Sequence, residues 1–77
     1  MPGPSRLPSL RRREILNALH RAGFVTIRSR GSHERLRHPD GRALTIAIHP
    51  SATAGPTLVR RIIEQAGLTI ERFLELI

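Results

Sequence analysis

An α+β fold, with helices on one face of a three-stranded antiparallel sheet, follows from three features of these 77 residues. Apolar residues recur with helical period in two stretches towards the two ends of the chain. Between them they alternate with period two, and Gly, Pro and Asp mark the joints. The predicted order is α-β-β-β-α with a short C-terminal helix, which makes a two-layer sandwich.

A chain this short holds one domain. Residues 1–8 (Met-Pro-Gly-Pro-Ser-Arg-Leu-Pro) are expected to be a flexible leader, and residues 9–77 the folded domain. Ser9 is placed to cap the first helix. From Leu10 to Ala22, the residues Ile15, Ala18, Leu19 and Ala22 form its apolar stripe, and Gly23 stands where the helix should end.

From Phe24 to Arg30 the period falls to two, which predicts a strand with Val25 and Ile27 inward and Thr26, Arg28 and Arg30 outward. Gly31-Ser32 is a turn. His33–His38 is a second strand with Leu36 inward, and Pro39-Asp40-Gly41 makes a hairpin to a third strand, Arg42–His49. There Leu44, Ile46 and Ile48 point inward, with Thr45, Ala47 and His49 outward. Pro50–Pro56 reads as a loop. Thr57 is expected to cap a second helix with Leu58, Ile62 and Ala66, flanked by Val59 and Ile63, on its core face, and Thr69 to cap the last, with Ile70, Phe73, Leu74 and Ile77.

Charge carries the functional information. All thirteen basic residues are Arg, against six acids, and the whole excess of +7 lies in residues 1–49. Such a polycation calls for a polyanionic partner, and the planar, permanently charged guanidinium suits phosphate. The absence of cysteine excludes disulfides and thiolate metal sites, the histidine spacings resemble no zinc site, and no cofactor is implied. No apolar run is long enough to span a membrane, so the chain is expected to be soluble and cytoplasmic. With no Trp or Tyr, base stacking on aromatics is not the mode of binding.

Alternation along the strands gathers Arg28, Arg30, His33, Arg35, Arg37 and His49 on the open sheet face, with Ser32 beside His33. Arginines there can hold an RNA backbone, and an imidazole among them can take a 2′-OH proton. The 2′-oxygen would then attack phosphorus, leaving a 2′,3′-cyclic phosphate and a free 5′-OH. His33 is the expected base, and Arg28, Arg30, Ser32, Arg35, Arg37 and His49 the expected substrate contacts. A non-catalytic RNA-binding module, or a subunit whose basic face meets an acidic protein, would use the same surface.

Gly23-Phe24, Gly31-Ser32-His33, His38-Pro39-Asp40-Gly41, an apolar strand ending in His49-Pro50, Thr57-Leu58 and Ile62…Gln65-Ala66-Gly67-Leu68 occur in this order and spacing. Over residues 10 to about 74 the chain thereby resembles the HicA-type mRNA interferase toxins. The resemblance implies a fold like that of double-stranded-RNA-binding domains, a ribosome-independent endoribonuclease acting on mRNA with its catalytic histidine at His33, and a HicB-type antitoxin that covers the basic face. The chain departs from the family in Ile46-Ala47, where Val-Pro is usual, and in Ala54-Gly55-Pro56-Thr57-Leu58, where a Lys and Gly-Thr-Leu are usual.

Overall fold

Which side chains reach the open face depends on how the three central strands pair. In the computed structural model, which describes residues 7–77, the chain runs β1 (Leu10–Arg11), α1 (Arg12–Arg21), β2 (Val25–Arg30), β3 (His33–Arg37), β4 (Ala43–Ala47), β5 (Thr53–Ala54), α2 (Pro56–Gln65) and α3 (Ile70–Leu76). Strands β2-β3-β4 form the expected antiparallel meander. Phe24, Leu36, Leu44 and Ile46 from the sheet pack with Ile15, Leu19, Val59, Ile63 and Phe73 from the helices in one core. The result is the predicted two-layer α+β sandwich, with its other sheet face bare.

The ends of the chain differ from expectation. Leu10 does not start a helix; with Arg11 it forms β1, paired to β5 inside the stretch expected to be a loop. The helix begins at Arg12, so Ser9 is not its cap; instead the Glu14 carboxylate accepts the Arg11 backbone N–H at 2.8 Å. The leader lies outside the described residues except for Leu7 and Pro8, and Leu7 is 5% exposed within the core.

Gly23 ends α1 as its position in the sequence suggests. Its φ of +105° carries the chain out of the helix while the N–H of Phe24 returns to the Leu19 carbonyl. A side chain there would also run into the His38 ring, 2.8 Å from the position of a Cβ. Thr69 caps α3 through the Arg72 N–H at 3.0 Å, as expected. Helix α2 starts two residues earlier than its expected Thr57 cap implies, with Pro56 as its first residue and Gly55 as the N-cap. Val59, Ile62, Ile63 and Ala66 face inward, and Leu58 is 40% exposed rather than on the core face. On α3, Phe73 and Leu76 are buried, while Leu74 is 39% exposed and Ile77, just past the helix, 44%.

The main correction concerns β2. Thr26 pairs with Leu36 and Arg28 with Arg35, so Ile27 is an extra residue, a β-bulge. Val25 and Ile27 are 57% and 56% exposed on the open face, not inward, and Thr26 is the residue that turns in. Because two residues oppose one at the bulge, Arg28 and Arg30 still end on the open face.

Thr26 is held inside by a polar cluster between sheet and helix. Its hydroxyl donates to the Glu34 Oε2 and accepts from the His20 ring, 3.0 Å away, while Arg12 Nη2 binds the Glu34 Oε1 at 3.1 Å. Glu34 is the one buried charged residue among those described. Its ion pair with Arg12 ties α1 to the central strand of the sheet, so Arg12, the first residue of that helix, serves the fold.

Candidate functional site

Strand β3 supplies the centre of the open face. Glu34 and Leu36 are fixed inward by the cluster and the core, so His33, Arg35 and Arg37 must point outward. Cross-strand pairing arranges the face in rows. Arg30, His33 and Ala47 make one row, Arg28, Arg35 and Thr45 the next, and Val25, Arg37 and Ala43 a third.

Arg30 and His33 of the first row, the whole second row, and Ile27 at the bulge wall a cleft of about 550 Å³. His33 stands in it among Arg28, Arg30 and Arg35. Arg35 donates to the Thr45 hydroxyl on the neighbouring strand at 3.1 Å. Among the described residues none of Arg28, Arg30, Arg35 or Arg37 has a carboxylate partner, and the His33 ring makes no hydrogen bond. Guanidiniums without carboxylate partners beside an imidazole are groups that can bind an anion and exchange a proton.

The other expected contacts sit apart from this cleft. Arg37 lies one row away, in a shallower depression of about 270 Å³ lined also by Val25, Ile27, His38 and Pro39. Ser32 is half-buried in the β2–β3 turn beside His33 and lines neither hollow. His49, beyond the end of β4, continues the outward parity through buried Ile48 and is exposed. Its Nδ1 accepts the Ser51 N–H at 3.1 Å and the Ser51 hydroxyl at 2.8 Å, which leaves the proton on Nε2, facing away from that turn.

Two cleft residues were not among the expected contacts. Thr45 was legible as an outward residue of its strand. Ile27 was not, because apolar alternation assigned it to the core and nothing in the local sequence announces the bulge.

The β3–β4 turn below the face is rigid. Arg42 binds the Asp40 carboxylate through Nε (2.9 Å) and Nη2 (2.8 Å), and Asp40 also accepts the Arg42 N–H at 3.1 Å. Those hydrogen bonds, the side-chain one foremost, lower the Asp40 pKa to about 2. The His38 Nδ1 accepts the Asp40 N–H at 3.1 Å, and its ring meets Phe24 edge-on with centroids 5.2 Å apart. Among the described residues no group of three or more His, Cys, Asp or Glu could hold a metal ion, and no helix is long and apolar enough to cross a membrane.

The family model described as HicA toxin of bacterial toxin-antitoxin matches residues 12–68. That span runs from the first residue of α1 to just past α2 and takes in the whole three-stranded sheet and its cleft. No curated protein matches the sequence.

Proposed function

The chain belongs to the HicA toxin family of bacterial toxin–antitoxin systems, and from that premise we propose that it is a metal-independent endoribonuclease acting on mRNA, with His33 as general base. The observation that carries this reading is the position of His33: an unpartnered imidazole inside a cleft whose charged wall is Arg28, Arg30 and Arg35.

In this mechanism the guanidiniums bind the phosphodiester and its neighbours. A ring nitrogen of His33 takes the 2′-OH proton as the 2′-oxygen attacks the adjacent phosphorus. The P–O5′ bond breaks, the leaving 5′-oxygen takes a proton from water or from His49, and the products are a 2′,3′-cyclic phosphate and a 5′-OH end. Charge building on the phosphorane is stabilised by an arginine of the cleft wall, Arg28, Arg30 or Arg35. DNA lacks the attacking hydroxyl and resists.

A toxin of such a system has an antitoxin. We assign the bare, cationic sheet face as the surface a HicB-type antitoxin covers, since one occluding partner there removes both substrate binding and the base.

The test is cleavage of a long single-stranded RNA in EDTA by wild type and by His33→Ala, with circular dichroism confirming that both fold. Cleavage with cyclic-phosphate ends, lost in the variant, supports the reading. RNA binding by wild type without cleavage would replace it with a binding module that uses the same face.

A further inference from the structure

The bulge leaves Val25 and Ile27 more than half exposed, although both are large and apolar. With Pro39 they floor the shallower depression beside the cleft, bounded by Arg37 and the half-buried His38. Val25 stands directly opposite Arg37 on β3. An apolar floor with a cationic rim is the anatomy of a protein–protein contact, in which the dry centre carries affinity and the rim charges steer encounter. Nucleobases stack on aromatic planes, and this floor is aliphatic.

We propose that the Val25–Ile27–Pro39 depression is the anchor point of the antitoxin, which places an apolar side chain there and flanking carboxylates against Arg37 and Arg28. The partner's chemistry follows from charge: the four arginines of this face have no carboxylate of their own among the described residues, so acidic groups on the partner complete them. The proposal rests on the antitoxin half of the functional reading, and not on the nuclease half. Its consequence is separability. Toxin action uses the cleft of His33, Arg28, Arg30 and Arg35, whereas neutralisation draws its affinity chiefly from Val25, which lines the depression and not the cleft; Ile27 lines both.

The experiment compares wild type, Val25→Asp and Val25→Thr in two assays: binding to the antitoxin of the same system, by surface-immobilised kinetics, and cleavage of single-stranded RNA. Val25 is on the exposed face of an edge strand, so the variants should melt near wild type, and the Thr variant keeps the β-branched shape if Asp disturbs the strand. The expected result is antitoxin affinity weakened about tenfold by Thr and about a hundredfold or more by Asp, chiefly through faster dissociation, with cleavage unchanged. Undiminished antitoxin binding by Val25→Asp overturns the proposal. Loss of cleavage in both variants also overturns it, since the depression then holds RNA. If wild type binds antitoxin through Val25 but cuts no RNA, the nuclease reading falls and the anchor stands.

Discussion

The Arg42 guanidinium donates to the backbone carbonyl of Ala66 at 2.5 Å, so a side chain from the β3–β4 hairpin closes the C-terminal end of helix α2. The same group lies 5.4 Å from the centre of the Phe24 ring. One residue thus ties the hairpin to a helix end whose last carbonyls would otherwise lack partners, and it places positive charge where the helix dipole favours it. Replacing Arg42 by Gln should cost about 1.5–3 kcal/mol through the lost charged hydrogen bond to Ala66. For a domain of this size that is a fall in Tm of roughly 4–8 °C for each kcal/mol, readable by thermal denaturation.

Asp40 gives the same turn a pH dependence. Its carboxyl is held at about 2 in the folded chain against an ordinary value near 3.8, chiefly by its hydrogen bonds with Arg42. A depressed folded-state pKa means the contribution is complete above the ordinary value and is lost as pH falls through about 2. Urea midpoints measured from pH 5 down to pH 2 should therefore drop, and drop less in Asp40→Asn. Parallel curves for the two proteins would remove Asp40 from the account.

Glu34 and Arg12 form the partly buried ion pair between α1 and the sheet. Glu34→Ala leaves the Arg12 cation without a carboxylate in a cramped site, where its Nε is already unpartnered. The expected loss is about 3 kcal/mol. Adding Arg12→Met should recover a good part of it, because the stranded charge has gone. A double variant no more stable than Glu34→Ala alone would show that the pair does not couple.

Gly23→Ala puts a methyl at a φ of +105° and against the His38 ring. The backbone cost alone is about 1–2 kcal/mol. A denaturant titration in which this variant matches wild type would mean that the α1–β2 junction shifts without strain.

The cationic wall of the cleft should be visible in salt dependence. Each arginine that engages a phosphate contributes about 0.7 to the slope of log affinity against log salt for a single strand. Changing Arg28, Arg30 or Arg35 singly to Gln is expected to lower the slope by about that amount and to weaken binding to all RNA sequences alike. Measurements on His33→Ala, which binds without cutting in the proposed mechanism, keep the substrate intact. An unchanged slope in Arg35→Gln would place the RNA elsewhere.

The meander was legible because β3 and β4 carry clean alternation: Leu36, Leu44 and Ile46 have only one face to bury, and His33, Arg35 and Thr45 follow from it. Strand β2 misled for a physical reason. Val25 and Ile27 look inward by hydropathy, yet Phe24 takes the buried position and the polar Thr26 is drawn inside by Glu34 and His20. Arg28 and Arg30 were placed on the correct face although the inferred phase of the strand was wrong, because the bulge shifts the phase once more. The helix starts were blurred for a different reason. The β1–β5 ladder joins segments far apart in sequence, and no local pattern in Leu10-Arg11 or Thr53-Ala54 announces that pairing.

That ladder also bears on the order in which the molecule assembles. Leu10 and Ala54 have the entire meander between them in sequence, so pairing them early would close a long, slack loop for two residues' worth of bonds. The hairpin contacts of β2, β3 and β4 are local and close cheaply. Folding is therefore expected to zip the sheet first and fasten β1 to β5 last, and the amides of that short ladder to exchange with solvent well before those of β3.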